Sequence, residues 1–149
     1  MNYWLMKSEP EEFSIDDLKR VKREPWSGVR NYQARNYMMK DMKVGDGIFF
    51  YHSNAVPIGI VGVMKVVREA YPDFTAQNPD SKYYDPKSTS DNPRWFMVDV
   101  KFVRKFKRVI TLDELKQHAD ALGDMALLRK GNRLSINPVS KEQWEYILA

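Results

Sequence analysis

The spacing of apolar positions changes several times along the chain, and each change marks an element. Residues 2–8 (NYWLMKS) are a short run of aromatic and apolar side chains that predicts a strand. Ile15, Leu18 and Val21 then recur at helical spacing behind Ser14, a favoured N-cap residue. Asp16 and Asp17 fall in the first turn, where the helix dipole favours negative charge. This helix stops before Glu24-Pro25, because proline pushes the preceding residue out of the helical region. The cations of KRVKRE (19–24) cluster at its end, as dipole complementarity and solubility would have it. Ala34, Met38 and Met42 share a second helical stripe, opened by Asn31 and covering 32–41, and KVGD (43–46) turns the chain.

GIFFYHS (47–53) is a strand too apolar to be exposed. PIGIVGVMKVV (57–67) is another, in which Gly59 and Gly62 predict a bulge or a close backbone approach. SNAVP (53–57) reads as the hairpin loop joining them. Residues 71–94 show no period, and a loop this long is uncommon unless it is functional or disordered. Its aromatics Tyr71, Phe74, Tyr83 and Tyr84 argue for packing. WFMVDVKFV (95–103) alternates, with Phe96, Val98, Val100 and Phe102 on one face and Asp99 and Lys101 on the other, as in a half-buried strand. Thr111 and Glu114 form a T-x-x-E capping box. Residues 122–132 predict a helical turn ended by Gly131, and 133–140 a last strand closed by Pro138. Ser140 and Gln143 cap a terminal helix. Five or six strands with short helices, and no regular βαβ alternation, predict an α+β domain whose sheet curls into a small barrel.

The 149 residues suggest one domain, 1–149, large enough to bury a core. No apolar run approaches the ~18 residues of a membrane span. The first residues lack a secretory pattern. The chain has no cysteine, which excludes disulfides, thiol nucleophiles and thiolate metal sites and fits a cytoplasmic protein. Twenty-four Lys and Arg against 20 Asp and Glu give +4, an excess that permits a polyanionic partner without demanding one.

Enzymatic templates are absent. His52 and His118 lie in different elements, so neither a metal nor a cofactor is expected. Lys7 and Ser8 are adjacent on a strand and point to opposite faces. His52, at the end of a buried strand, is either a satisfied structural histidine or a group at the mouth of the barrel, where ligand sites gather. WSGVRNYQARN (26–36) mixes rings, guanidiniums and amides. Trp26 is either a core plug or a surface on which a base stacks. Arg30, Asn31 and Gln33 supply the groups that read a base edge, and Tyr83 or Tyr84 could face Trp26. In KFVRKFKR (101–108) the cations Lys105, Lys107 and Arg108 either track a phosphate backbone or solvate one side of a strand. Arg129, Lys130 and Arg133 form a second cluster.

Seven stretches in order, YWLMKSEP (3–10), WSGVRNYQARN (26–36), FFYHSN (49–54), EAYPD (69–73), YYDPKS (83–88), RWFMVDVKF (94–102) and RLSINPVS (133–140), together resemble an EVE domain over nearly the whole chain. The chain is similar to stand-alone bacterial EVE proteins and to the thymocyte nuclear protein family of eukaryotes. The resemblance implies a PUA-like fold, kinship with YTH and ASCH domains, and capture of a modified nucleobase in an aromatic-walled pocket on DNA or RNA. By position it implies Trp26 as one wall, Ser27 and Asn31 near the base edge, and Lys7, Ser8, Tyr51, His52 and Ser53 lining the mouth. The second wall is expected at Tyr83 or Tyr84. Arg30, Lys105, Lys107, Arg108 and Arg133 are the expected phosphate contacts of a monomeric binder. The alternative is an enzyme acting on a nucleobase or nucleotide, with His52 or Glu9 as general acid or base.

Overall fold

In the computed structural model, which describes residues 1–149, six strands form one sheet in the order β2-β5-β4-β3-β1-β6. They are β1 (Tyr3–Ser8), β2 (Arg23–Pro25), β3 (Gly47–His52), β4 (Gly59–Pro72), β5 (Phe96–Thr111) and β6 (Ile136–Val139). β1 and β3 run parallel and all other neighbours antiparallel. Pairing stops at β2 and β6, so the expected barrel is a curled sheet left unclosed. Five short helices surround it: α1 (Ile15–Val21), α2 (Tyr32–Asn36), α3 (Leu112–Gln117), α4 (Ala119–Leu122) and α5 (Lys141–Leu148). None is long and apolar enough to cross a membrane.

The central strands are apolar on both sides because both sides are covered. Trp4, Met6, Ile48 and Phe50 enter one core with α1 and α2; Leu5, Phe49 and Tyr51 enter a second with α3, α4 and α5. Curling is produced where β4 meets β5, whose register slips four times. Gly62 sits at one of those slips and Gly59 in the regular pairing just before it; an added Cβ would lie 2.4 Å from the Arg104 carbonyl oxygen at Gly62 and 2.2 Å from that of Ile110 at Gly59. At Gly62 the expected bulge and the expected close approach are thus one feature, and at Gly59 there is the close approach alone.

Ser140 closes a reciprocal box with Gln143 as expected, and Ser14, expected as an N-cap, closes one with Asp17 as well; of the expected Thr111–Glu114 box only half forms, Thr111 accepting from the Glu114 N–H while the Glu114 side chain pairs with Arg108. α2 continues as a π turn over Tyr37–Asp41, completing the expected helix of 32–41. The expected helical turn at 122–132 is broken instead: α4 ends at Leu122, Gly123 turns the chain at φ +63°, and a 3-10 turn occupies Ala126–Leu128. Asp99 does not face water. It is 7% exposed and accepts from Arg23 (3.0 Å) and from the Tyr71 hydroxyl. Burial and that carboxylate push the Tyr71 phenol up to about 12. Arg23, one of the cations expected to solvate a helix end, thus fastens the edge strand β2 to β5.

Candidate functional site

A cavity of about 490 Å³ opens where the C-terminal end of β1 meets β2 and the loop between β4 and β5. Lys7, Ser8, Phe13, Glu24, Trp26 and Tyr83 give it its chemistry, and Ser27, Gly28 and Arg30 also border it. Lys7 and Ser8 leave opposite faces of β1, so the cavity reaches across the end of the sheet instead of lying over one face.

Trp26 is mostly core. It is 8% exposed and packs at steep angles against Phe13 (6.3 Å, 86°) and Phe50 (5.5 Å, 82°). So little free surface cannot present a whole ring face to a base, so Trp26 contributes an edge where a stacking wall was expected. That edge is informative. The indoles of Trp4 and Trp95 donate to Asp46 (3.0 Å) and Asp85 (2.7 Å), but the Trp26 N–H has no acceptor in the protein. No side-chain nitrogen or oxygen is both sealed and unpartnered, so this N–H is not sealed, and Trp26 borders the cavity.

Three charged groups, Lys7, Glu9 and Glu24, border the same space without an ion-pair partner. Burial lowers the pKa of Lys7. Burial first, then the negative charges of Asp17 and Asp99, raises that of Glu24. Sequence reasoning missed Glu24 and Phe13: the one was read only as the residue before a proline, and the other gave no periodic signal.

The opposite wall comes from the long loop. Asp73, fully buried, accepts at Oδ2 from the Gly28 N–H (2.8 Å) and Arg30 (3.1 Å), and at Oδ1 from the Thr75 N–H (2.8 Å) and hydroxyl (2.6 Å). The Arg30 guanidinium also donates twice to the Tyr83 carbonyl oxygen (2.8 and 3.1 Å), to the Val29 carbonyl oxygen and to Thr75. Its donors are thereby committed, so Arg30 clamps the loop and is not free for a phosphate. Rings and guanidiniums continue this clamp as a ladder. Arg30 lies 5.4 Å from both the Tyr83 and Trp95 rings, Trp95 stacks on Tyr32 at 4.8 Å, and Arg35 covers Tyr32 at 4.7 Å. Most of the mixed chemistry of residues 26–36 therefore fastens loop 73–95 in place.

Gly28 fits beneath the Tyr83 ring with φ +85°, and an added Cβ would lie 2.7 Å from that ring. Gly28→Ala is expected to cost ~1–2 kcal/mol for the left-handed backbone alone and to push Tyr83 off the cavity wall. Thermal unfolding checks the first effect and ligand affinity the second; an unchanged affinity would show that Tyr83 is not part of the binding surface.

Lys7, Ser8, Trp26, Ser27 and Tyr83 thus meet at one cavity; five other expected residues do not line it. Asn31 caps α2, its side chain accepting from the Ala34 N–H at 3.0 Å. Tyr51 alternates into the second core, 2% exposed. His52 accepts at Nε2 from the Ile15 N–H (3.1 Å), which holds the start of α1, and burial lowers its pKa. A general-base role would have to break that bond. Ser53 extends the backbone pairing to Ser8, and Tyr84 points outward, 43% exposed. Of the expected phosphate contacts, Lys105 pairs with Asp16 (2.9 Å) and Arg108 with Glu114 (2.6 Å), while Lys107 and Arg133 are unpaired. Lys105, Lys107 and Arg108 line a separate groove with Phe106 and α5. Phe102 packs on the first core and Phe106 on the second, so this stretch is a strand with a cationic solvated side. No three His, Asp or Glu side chains gather as a metal site would require.

The EVE domain model matches residues 2–149. The chain belongs to the EVE domain family. The EVE domain described here is 48% identical over 166 residues to thymocyte nuclear protein 1 of Mus musculus, a match covering 99% of this chain and 73% of that protein. It superposes with TM-score 0.94 on a protein from Pseudomonas putida (51% identity, covering 98% of this chain and 97% of that one). It superposes equally well on human THYN1, solved in complex with 5-methylcytosine-containing DNA (TM-score 0.93, 46% identity, 99% of this chain and 96% of that one). The open curled sheet with its short helices is accordingly the PUA-like α+β fold of those structures.

Proposed function

We propose that this EVE domain, as one domain over residues 1–149, reads a modified base in DNA by taking it, flipped or single-stranded, into the cavity at Trp26, without catalysis. The observation that carries this reading is the human relative's complex with 5-methylcytosine-containing DNA, combined with a cavity here in which the Lys7 and Glu24 side chains and the Trp26 N–H have no partner inside the protein. The donor and acceptor balance suits a cytosine. Glu24 is an acceptor for the N4 amino group, and the Trp26 N–H and Lys7 are donors for the acceptors of its pairing edge. Phe13 and Pro25 supply apolar surface for a methyl group, and Tyr83 the partly exposed ring on which a base can stack. Flipping costs a few kcal/mol and stacking returns ~1–3, so these edge contacts decide the outcome. The proposal invokes no metal or cofactor and takes the binder as a monomer; the absence of cysteine bears only on its compartment, where it fits the cytoplasm.

Matched oligonucleotides carrying cytosine or 5-methylcytosine, as duplex and single strand and as DNA and RNA, test this by titration. Tighter binding of the methylated DNA is expected; equal affinity for the pair would overturn the reading, and an RNA preference would move it to that carrier. Glu24→Gln adds a test with two readouts. A carboxyl whose pKa is raised on folding holds its proton more tightly in the folded state. Its penalty is therefore absent below the ordinary value near 4.5 and grows as pH rises through the folded value. Glu24→Gln should melt higher than the wild type at neutral pH, with the difference closing in acid, and should bind the methylated strand more weakly. A variant that gains stability but keeps full affinity would remove Glu24 from the base contacts.

A further inference from the structure

A base held in the cavity carries its own phosphates to the cavity's mouth, so the cations that matter are those on its rim. The groove of Lys105, Lys107 and Arg108 shares no residue with the cavity, and two of these three cations are matched by carboxylates. The loop at 129–134 is placed differently. Its residues Arg129, Lys130, Asn132 and Arg133, together with Asn31, line a shallow depression of about 440 Å³ that contains no carboxylate. No residue borders both the depression and the cavity, but the chain links them at two points. Arg30 and Ser135 border the cavity, while their chain neighbours Asn31 and Leu134 border the depression. Ser135 is itself tied to the strand end, its carbonyl oxygen accepting from the Lys7 N–H at 2.8 Å.

The loop is also held in shape from beneath. Asn132 donates to Asn137 Oδ1 (2.6 Å) and accepts from the Leu134 N–H (2.8 Å), and the fully buried Asn137 donates to the Leu134 carbonyl oxygen (2.9 Å). A run of charge that served only to keep the surface wet would not need the buried Asn137 amide under it. Lys130 and Arg133 are exposed and unpaired, whereas Arg129 is shared with Asp124 (3.0 Å).

We propose that the loop at 129–134 is the platform for the DNA backbone beside the captured base, with Lys130 and Arg133 contacting its phosphates. This rests on the base-reading function above. The fixed loop positions the strand without reading sequence, and the cavity supplies the selectivity.

Salt titration of binding to labelled oligonucleotides, with and without 5-methylcytosine, tests the platform through the double variant Lys130→Gln/Arg133→Gln. Two lost phosphate contacts should reduce the slope of log affinity against log salt by about 1.4 on single strands to 1.8 on duplex. Affinity near physiological salt should fall roughly 10- to 30-fold, equally for modified and unmodified DNA. Lys105→Gln/Lys107→Gln should leave the slope unchanged. An unchanged slope in the first variant, or transfer of the loss to the second, would overturn the platform. Failure of the base reading looks different: the wild type would then bind both oligonucleotides equally, while the slope comparison would still report where the backbone lies.

Discussion

Asp73→Ala is expected to lower the free energy of unfolding by ~3–5 kcal/mol, towards the lower end because Arg30 keeps some contact with water. The carboxylate is fully buried and takes four hydrogen bonds from three residues. Its loss strands the Arg30 guanidinium, whose side chain is 22% exposed, and leaves the Gly28 N–H with no acceptor. Asp73→Asn keeps the shape and one acceptor oxygen and should cost less, ~1–3 kcal/mol. Denaturant unfolding gives the numbers, and limited proteolysis should show new cleavage within 74–94 in the alanine variant. If Asp73→Ala unfolds within ~0.5 kcal/mol of the wild type, the range of an ordinary surface substitution, the loop is anchored by something else.

That anchor was hidden in the sequence, where Asp73 falls in a stretch without a period and gives no signal of its partners. Elements were legible wherever a local signal agreed with the core: β1 and β3 through their apolar runs, α1 and α5 through Ser14 and Ser140. β2 is three residues long, ends in proline and pairs only with β5, so no periodicity could reveal it. β4 and β5 extend to Pro72 and Thr111, beyond their predicted ends, because there they pair mainly with each other and carry charges on their exposed sides. The cavity was half legible for a related reason. Residue types mark Trp26, Lys7 and Tyr83, but only the fold separates Tyr83 from Tyr84, decides between the helix cap and the base edge for Asn31, or shows that His52 accepts from the start of α1.

Trp26→Ala should also destabilise by ~3–5 kcal/mol, since it empties a buried site packed against Phe13 and Phe50. Binding measured on that variant alone would confuse loss of fold with loss of contact. Trp26→Phe separates them. Phenylalanine keeps most of the packing but has no N–H, so one hydrogen bond of ~0.5–1.5 kcal/mol disappears, and preference for the modified base should shrink about 2- to 13-fold. Affinity for an unmodified strand held by its phosphates should stay constant. Melting curves and paired titrations on one preparation distinguish the cases. A phenylalanine variant that retains the wild-type preference ratio would confine Trp26 to the core, and an alanine variant that melts like the wild type would remove it from the core.

The ladder of Tyr83, Arg30, Trp95, Tyr32 and Arg35 is assembled from two stretches of chain far apart in sequence. A synthetic peptide copying residues 26–36 would hold Arg30, Tyr32 and Arg35 yet lack Tyr83 and Trp95, the rungs on either side of Arg30. Chimeras between homologues face the same constraint. Segments 26–36 and 73–95 have to be exchanged as a pair, and swapping either alone puts mismatched partners on one side of the cavity.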